Sequence, residues 1–449
     1  MAAEAHSYDP NEKFEFNGKF KKNVFIIGGV GLLLLIIGVI QALMGGGHGE
    51  GEAHSMLMEG MEGTAMAGGG EHHGSSDGVK RIFANLWINN MFFTGIAITG
   101  VFFFAIQYVA KAGWSVGFLR IMNSFGRFLP IAFIMTIAVF LVAKYDLFHW
   151  THDYLYDKSN PATYDAIIDG KKPYFFVPGS EATGFPIFYF ARMVLFLGVW
   201  VVFWNAFTKN SDAEDQEGGT KRYWKLVKMS AGFIVFFGLS SSISAWDWIM
   251  SIDTHWFSTM FGWYVFASWF VAALSGITLV AVLLKEAGYL SIVNENHLHD
   301  LGKFVFAFSI FWTYIWFSQF LLIYYANIPE ETVYFIERLQ SDQYSKFIFI
   351  GLIMNFIFPL LALMTRDAKR KGTMLKIVCT IVMVGHWLDF YLMITPGTLR
   401  EAGGFGFLEI GMAMVYLAIF AFLMFSGLAK QNLLPKNHPM VEECANHHT

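Results

Sequence analysis

The stretch DWIMSIDTHWFST, residues 247–259, separates two apolar runs at 230–250 and 259–284. Each run is long enough to cross a hydrocarbon core of about 30 Å as a helix. Comparable runs occur at 24–44, 87–110, 129–148, 186–207, 301–325, 347–364, 375–393 and 405–428, which makes ten spans. The composition agrees: the 449 residues are 55% hydrophobic, 18% aromatic and only 15% charged, whereas soluble domains carry roughly a quarter charged residues. The expected fold class is an all-α integral membrane protein with ten transmembrane helices.

The first run follows a mixed-charge head of residues 1–22 and lacks a small-residue cleavage pattern, so it reads as a retained anchor. Residues 45–80 are rich in Gly, Met and His and read as a flexible segment that wraps a partner; soft thioether and imidazole groups also suit copper, but no fixed spacing supports that. Cysteine occurs only as Cys379 and Cys444. This leaves no disulfide framework, no cysteine-held iron–sulfur cluster and no c-type haem attachment motif.

Charge placement sets an expected orientation. Of the 31 Lys and Arg, 21 fall on the head, the tail and one set of alternate loops, and 9 on the opposite set. The positive-inside rule then puts both termini in the cytoplasm. The basic groups KRYWKLVK (221–228) and RDAKRKG (366–372) act as anchors on that side, and residues 247–259 form a short outer loop.

Other ionisable residues gather at the same outer depth: Asp146 and His149 at the end of the third span, Arg192 in the fourth, His386 and Asp389 in the ninth, and Glu409 at the start of the tenth. The inner half offers mainly hydroxyls, amides and tryptophans, such as Thr94, Gln107, Ser268, Ser275 and Ser309. A charge at bilayer depth costs several kcal/mol unless it finds a partner or water, so each is a functional candidate by default. For Asp146, His149 and Arg192 the alternatives are an interfacial position and a structural tie. His386 and Asp389, three apart, share a helix face, and such a pair shifts each member's proton affinity and suits a proton relay.

Within the opening stretch, Asp247 and Asp253 lie about 240° apart on a continuous helix, so a break over Ser251–Thr254 is expected. Asp253 or Ser251 would then cap a helix starting near Trp256. That account leaves Asp247, between Trp246 and Trp248, unexplained. A polar, aromatic-roofed pocket that exchanges protons accounts for it better. A bundle haem needs facing axial ligands, and only His386 lies well inside a span. A repeat-built transporter needs matching broken helices, and none is visible.

The motifs DWIMSIDTHWFSTMFGWY (247–264), HDLGKFVFAFSIFWTYIWFSQFLLIYYANIPEET (299–332), NFIFPLLALMTRDAKRK (355–371) and GHWLDFYLMI (385–394) resemble the NrfD-like, polysulfide-reductase-type membrane subunits of bacterial alternative complex III, a quinol:cytochrome c oxidoreductase. The resemblance covers roughly residues 20–430. The length and the Met/Gly/His loop resemble the smaller of two such subunits, F, more than the larger, C.

The resemblance implies two four-helix bundles, residues 81–250 and 251–394, flanked by the first helix (23–44) and the tenth (395–430), with a cytoplasmic tail at 431–449. It implies a multi-pass protein of the bacterial inner membrane that binds no redox cofactor itself. Menaquinol or another quinol would be the substrate of the complex, and the iron–sulfur clusters and haem c would sit on partner subunits. Expected partners are the larger, homologous NrfD-like protein of the complex, its iron–sulfur protein, its c-type haem proteins and lipids, with a terminal oxidase as a further candidate and no nucleic acid.

The family's polar positions fall on Asp247, Asp253, His255, His386 and Asp389, expected to transfer protons. Arg192 and Glu409 are weaker candidates. Trp256 and Phe257 are candidate quinone contacts. The alternatives are a pure scaffold of the complex, or a second quinol-binding subunit.

Overall fold

The protein is described by a computed structural model covering residues 8–45, 75–178 and 184–448; most of the Met/Gly/His loop lies outside the described residues. Those residues are almost entirely helical and contain no strand, only an isolated bridge between Lys13 and Asn432.

Among them, ten helices are long and apolar enough to cross a membrane: Gly18–Met44, Asp77–Ala110, Gly113–Leu147, Ile187–Glu217, Lys221–Ile252, Phe261–Glu286, Glu295–Ala326, Ser345–Ala362, Gly372–Ala402 and Phe407–Leu428. Length and composition make this a multi-pass membrane protein. Several spans outrun their apolar runs. The fourth continues through Thr208–Glu217, which carries polar residues beyond the end that hydropathy sets at 207.

The second and sixth spans form the centre, with 83% and 89% of their apolar windows buried. The second touches the third, fifth, sixth, ninth and tenth. The third packs on the fourth and the fourth on the fifth; the sixth packs on the seventh and ninth, and the eighth on the ninth. The first span lies along the tenth.

Lipid-facing helices gain little from apolar burial against one another, so close backbone approach has to hold them. Small residues supply it. A Cβ on Gly38 would stand 2.3 Å from the Leu408 nitrogen, and one on Gly411 2.4 Å from the Leu35 nitrogen. At the centre, Gly95 leaves room for the Trp269 indole, which donates to the Met91 carbonyl at 3.1 Å.

Local signals set several boundaries. Asn294 caps the seventh span through a capping box with His297, and Asn327 ends that helix in the left-handed conformation. Pro329 opens a short amphipathic helix, Pro329–Leu339, with Glu330 and Glu331 in its first turn. It lies at the end of the molecule that carries residues 247–259, called here the motif end. The opposite, tail end carries residues 430–448.

The chain leaves helical geometry after Trp248, passes through a 3-10 turn at Met250–Ile252 and re-enters a helix at Phe261. The break falls where expected, but the cap does not. Met260 stands at the helix start without a side-chain cap bond, and the Ser251 hydroxyl donates back to the Asp247 carbonyl instead.

Candidate functional site

The ninth span brings His386 and Asp389 to the face opposed by the sixth and seventh spans. Asp389 accepts from the Tyr264 hydroxyl at Oδ1, and from the Ser268 hydroxyl at 2.8 Å and the Trp312 indole at 2.9 Å at Oδ2. Ser268 Oγ also lies 3.0 Å from His386 Nδ1. Its single hydrogen goes to Asp389, so it accepts from Nδ1–H, which leaves Nε2 as the acceptor nitrogen of a neutral ring. His386 is fully buried, with its ring edge-on to Trp312 at 5.3 Å. Ser268, assigned by sequence position to the inner half, is the bridge of this cluster.

Asp389 also lines a narrow cleft with an open mouth. Tyr264, Trp312, Trp316, Tyr334, Phe335, Leu352 and Leu392 supply its aromatic and apolar wall, and Arg338 its second charged group. Arg338 is nearly fully buried. It donates to Asp253 at 2.8 Å and to the carbonyls of Tyr334, Leu392 and Met393, and its guanidinium stacks on the Tyr334 ring at 3.5 Å. Asp253 thus reaches the cleft through Arg338.

The remaining candidates are held in separate groups. Arg192 grips Asp247 with two parallel bonds of 2.7 and 2.9 Å, donates to the Tyr174 carbonyl and lies over the Tyr174 ring. His255 meets Asp165 at 2.5 Å near the surface. Partial burial pushes the Asp165 carboxyl up, but the Ile168 amide, His255 and the Ile167 amide outweigh it and hold it below its ordinary value. Glu409 is fully buried and receives two 2.8 Å bonds from Arg81, one from Asn85 and one from its own Gly406 amide.

Asp146 accepts from Ser75. Burial, then the neighbouring His152 and His255, lower the proton affinity of His149. Trp256 is buried, stacks on Tyr334 at 3.9 Å and donates to the Glu331 carbonyl. Phe257 is 61% exposed. Neither lines the cleft, whereas Trp312 and Trp316 of the seventh span do.

Sequence reasoning missed Arg338, Tyr264, Trp312 and Arg81. A lone Arg in the amphipathic register of VYFIERLQ was the available signal for Arg338. Reasoning from hydropathy also left the tail half without carboxylates. The structure corrects this: Glu214 is fully buried near that end beside Tyr108, 3.3 Å away, and Arg120, itself fully buried, bonds Asp212 and Asp215. The longer fourth span carries these groups. The tail then covers them, through Gln431 on Asp212, the Lys436 amide on Asp215 and Asn437 on the Glu214 carbonyl.

Among the described residues, no three His, Cys, Asp or Glu side chains come together in a group able to hold a metal ion. No protein-family model matches the chain, and no curated protein matches it significantly.

Proposed function

We propose that this chain is a proton-handling membrane subunit of a quinol-oxidising electron-transfer complex of the alternative complex III type, without a redox cofactor of its own. The observation that carries the reading is the position of Asp389. One carboxylate is both the acceptor of the Tyr264, Ser268 and Trp312 bonds and part of the wall of an open cleft. A proton taken up at His386 Nε2 makes an imidazolium. Its Nδ1 proton passes to Ser268 Oγ as the Ser268 hydrogen moves to Asp389, and the carboxylic acid then faces the cleft, where the Arg338–Asp253 pair stands. The motifs at 247–264, 299–332 and 385–394 supply the electron-transfer context through their resemblance.

The same reading takes spans two to five and six to nine as two four-helix bundles, with the first and tenth spans as a flanking pair. It puts the basic tail end in the cytoplasm of a bacterium and the motif end outside. Asp247, with Arg192, and Glu409, with Arg81, act as ties between helices, because each carboxylate takes a two-bond grip from one cation on another helix. His255 and Asp165 tie the loop to the Ala166–Phe175 helix.

A second reading, a quinol head group in the cleft, is favoured by the aromatic wall and by Arg338 and Asp389 within it. Turnover of the intact complex in liposomes separates the readings. Replacing His386 by Leu should leave assembly intact and lower proton release together with turnover. Full turnover in assembled His386→Leu complex sinks the proton role, and a raised KM for quinol with unchanged kcat favours the quinol reading.

A further inference from the structure

The eighth span does not run as a plain α-helix. It widens to a π turn over Ile353–Ile357 and returns to α geometry at Phe358–Ala362. The cause is local: Pro359 has no N–H to give to the carbonyl of Asn355 four residues back. Single π turns of this kind recur at functional sites. Here the turn places Asn355, fully buried, against the ninth span, where a Cβ on Gly385 would stand 2.1 Å from Asn355 Oδ1.

Neither atom of the Asn355 amide has a hydrogen-bond partner within the protein, and the same holds for His386 Nε2 and Ser309 Oγ. His386 and Ser309 are at most 1% exposed. The three side chains share a level. Ser309 lies one turn tailward of Trp312, and His386 one turn tailward of Asp389, the residue to which Trp312 bonds, while Asn355 abuts the residue before His386. The seventh span, the π turn and the ninth span touch one another pairwise.

Each buried polar atom left unpaired costs about 1–3 kcal/mol, and four such atoms on three mutually packed helices point to something that bonds them. The donor set selects it. Asn355 offers two N–H groups and an acceptor, Ser309 one of each, and His386 Nε2 an acceptor, with no net charge among them. Water gives and takes in that pattern. A bound cation would need a free carboxylate, and Asp389 is already engaged by Tyr264, Ser268 and Trp312.

We propose that the π turn of the eighth span forms a buried water-binding site closed by Asn355, Ser309 and His386. Water there donates to His386 Nε2, so His386 has one proton port toward Asp389 and a second toward the tail half. The site stands on the unpaired atoms alone; its use as a port rests on the proton reading above.

The test is a high-resolution density map of the wild-type protein in lipid nanodiscs, together with infrared spectra in ordinary and ¹⁸O-labelled water. Ordered density within hydrogen-bonding reach of Asn355, Ser309 and His386 is expected. So is an O–H stretch that shifts with ¹⁸O in wild type and in Asn355→Ser and disappears in Asn355→Leu. Side chains that turn to bond one another around empty density, or a labelled band that survives Asn355→Leu, overturn the site. A band lost in Asn355→Leu with full turnover upholds the site and sinks the proton reading.

Discussion

His386 and Asp389 lie one turn apart on the ninth span, yet the nearest approach of Nδ1 to Oδ2 is 3.9 Å, and Ser268 stands between them with bonds of 3.0 and 2.8 Å. A hydroxyl in that position separates two groups that would otherwise pair directly. It makes proton exchange between them depend on a side chain from another helix.

Ser268→Ala is therefore expected to slow turnover without unfolding the protein. Removing one relay member in such a site costs roughly 10²-fold or more in the proton-transfer step, while a Ser to Ala change keeps the packing volume. Asp389→Asn should do the same and flatten the pH profile of turnover. The measurement is steady-state turnover of assembled complex against pH, and an unaltered profile in both variants counts against the relay.

The Arg192–Asp247 pair gives an asymmetric expectation for stability. Asp247 is fully buried and the Arg192 side chain about a fifth exposed, so Arg192→Leu strands a carboxylate in the protein interior while Asp247→Leu leaves a cation that is partly exposed and long enough to shift toward the helix end. The first should cost about 3–5 kcal/mol, the second less, and the double variant less than Arg192→Leu alone. Thermal unfolding in detergent reads all three. Equal losses for the two single changes would contradict the pairing geometry.

Gly95 and Trp269 form a steric lock between the second and sixth spans. A Cβ at position 95 would stand 1.8 Å from the indole, so Gly95→Ala should destabilise by about 1–3 kcal/mol despite the higher helix propensity of Ala. Combining it with Trp269→Ala should remove the clash term, leaving only the cost of the lost indole. The shift in Tm of the four forms checks this.

His438 makes tail docking sensitive to acid. Burial first, and then the nearby Arg120 charge, lower its pKa to about 4. Above its ordinary value near 6.5 the ring is neutral whether the tail is docked or released, and docking is at full strength. Between about 6.5 and 4 only the released tail takes a proton, so docking weakens as pH falls, by about 3 kcal/mol in all. Protection factors of residues 431–448, corrected for the intrinsic pH dependence of exchange, should fall over that window in wild type and fall less in His438→Phe, which keeps the second buried imidazole, His297, against the tail.

The ten spans were legible because membrane crossing imposes length and apolarity on contiguous residues. A break over Ser251–Thr254 was expected because Asp247 and Asp253 cannot share a helix face, and the α-helix ends just before it, at Trp248. The pairings were not legible. Arg338 comes to Asp253 from 85 positions away, and Arg81 to Glu409 from 328. No local pattern marks which of several cations at the motif end reaches which carboxylate. Ser268 looked like an ordinary small polar residue until helix register put it between His386 and Asp389. Glu214 was hidden by a hydropathy boundary drawn at 207, because the fourth helix continues for ten more residues on polar side chains whose partners lie far off in the chain, on Tyr108, Arg120 and the tail.

The tail that seals Asp212, Asp215 and Glu214 also imposes an order on biogenesis. Residues 431–437 follow those acids by more than 200 positions, so the ribosome completes the last six helices before the bonds from the tail to these carboxylates can form. The closing strap emerges only after all of those helices have been made, so a chain stalled short of it leaves Arg120 as the sole partner to hold Asp212 and Asp215 and leaves Glu214 without its cover.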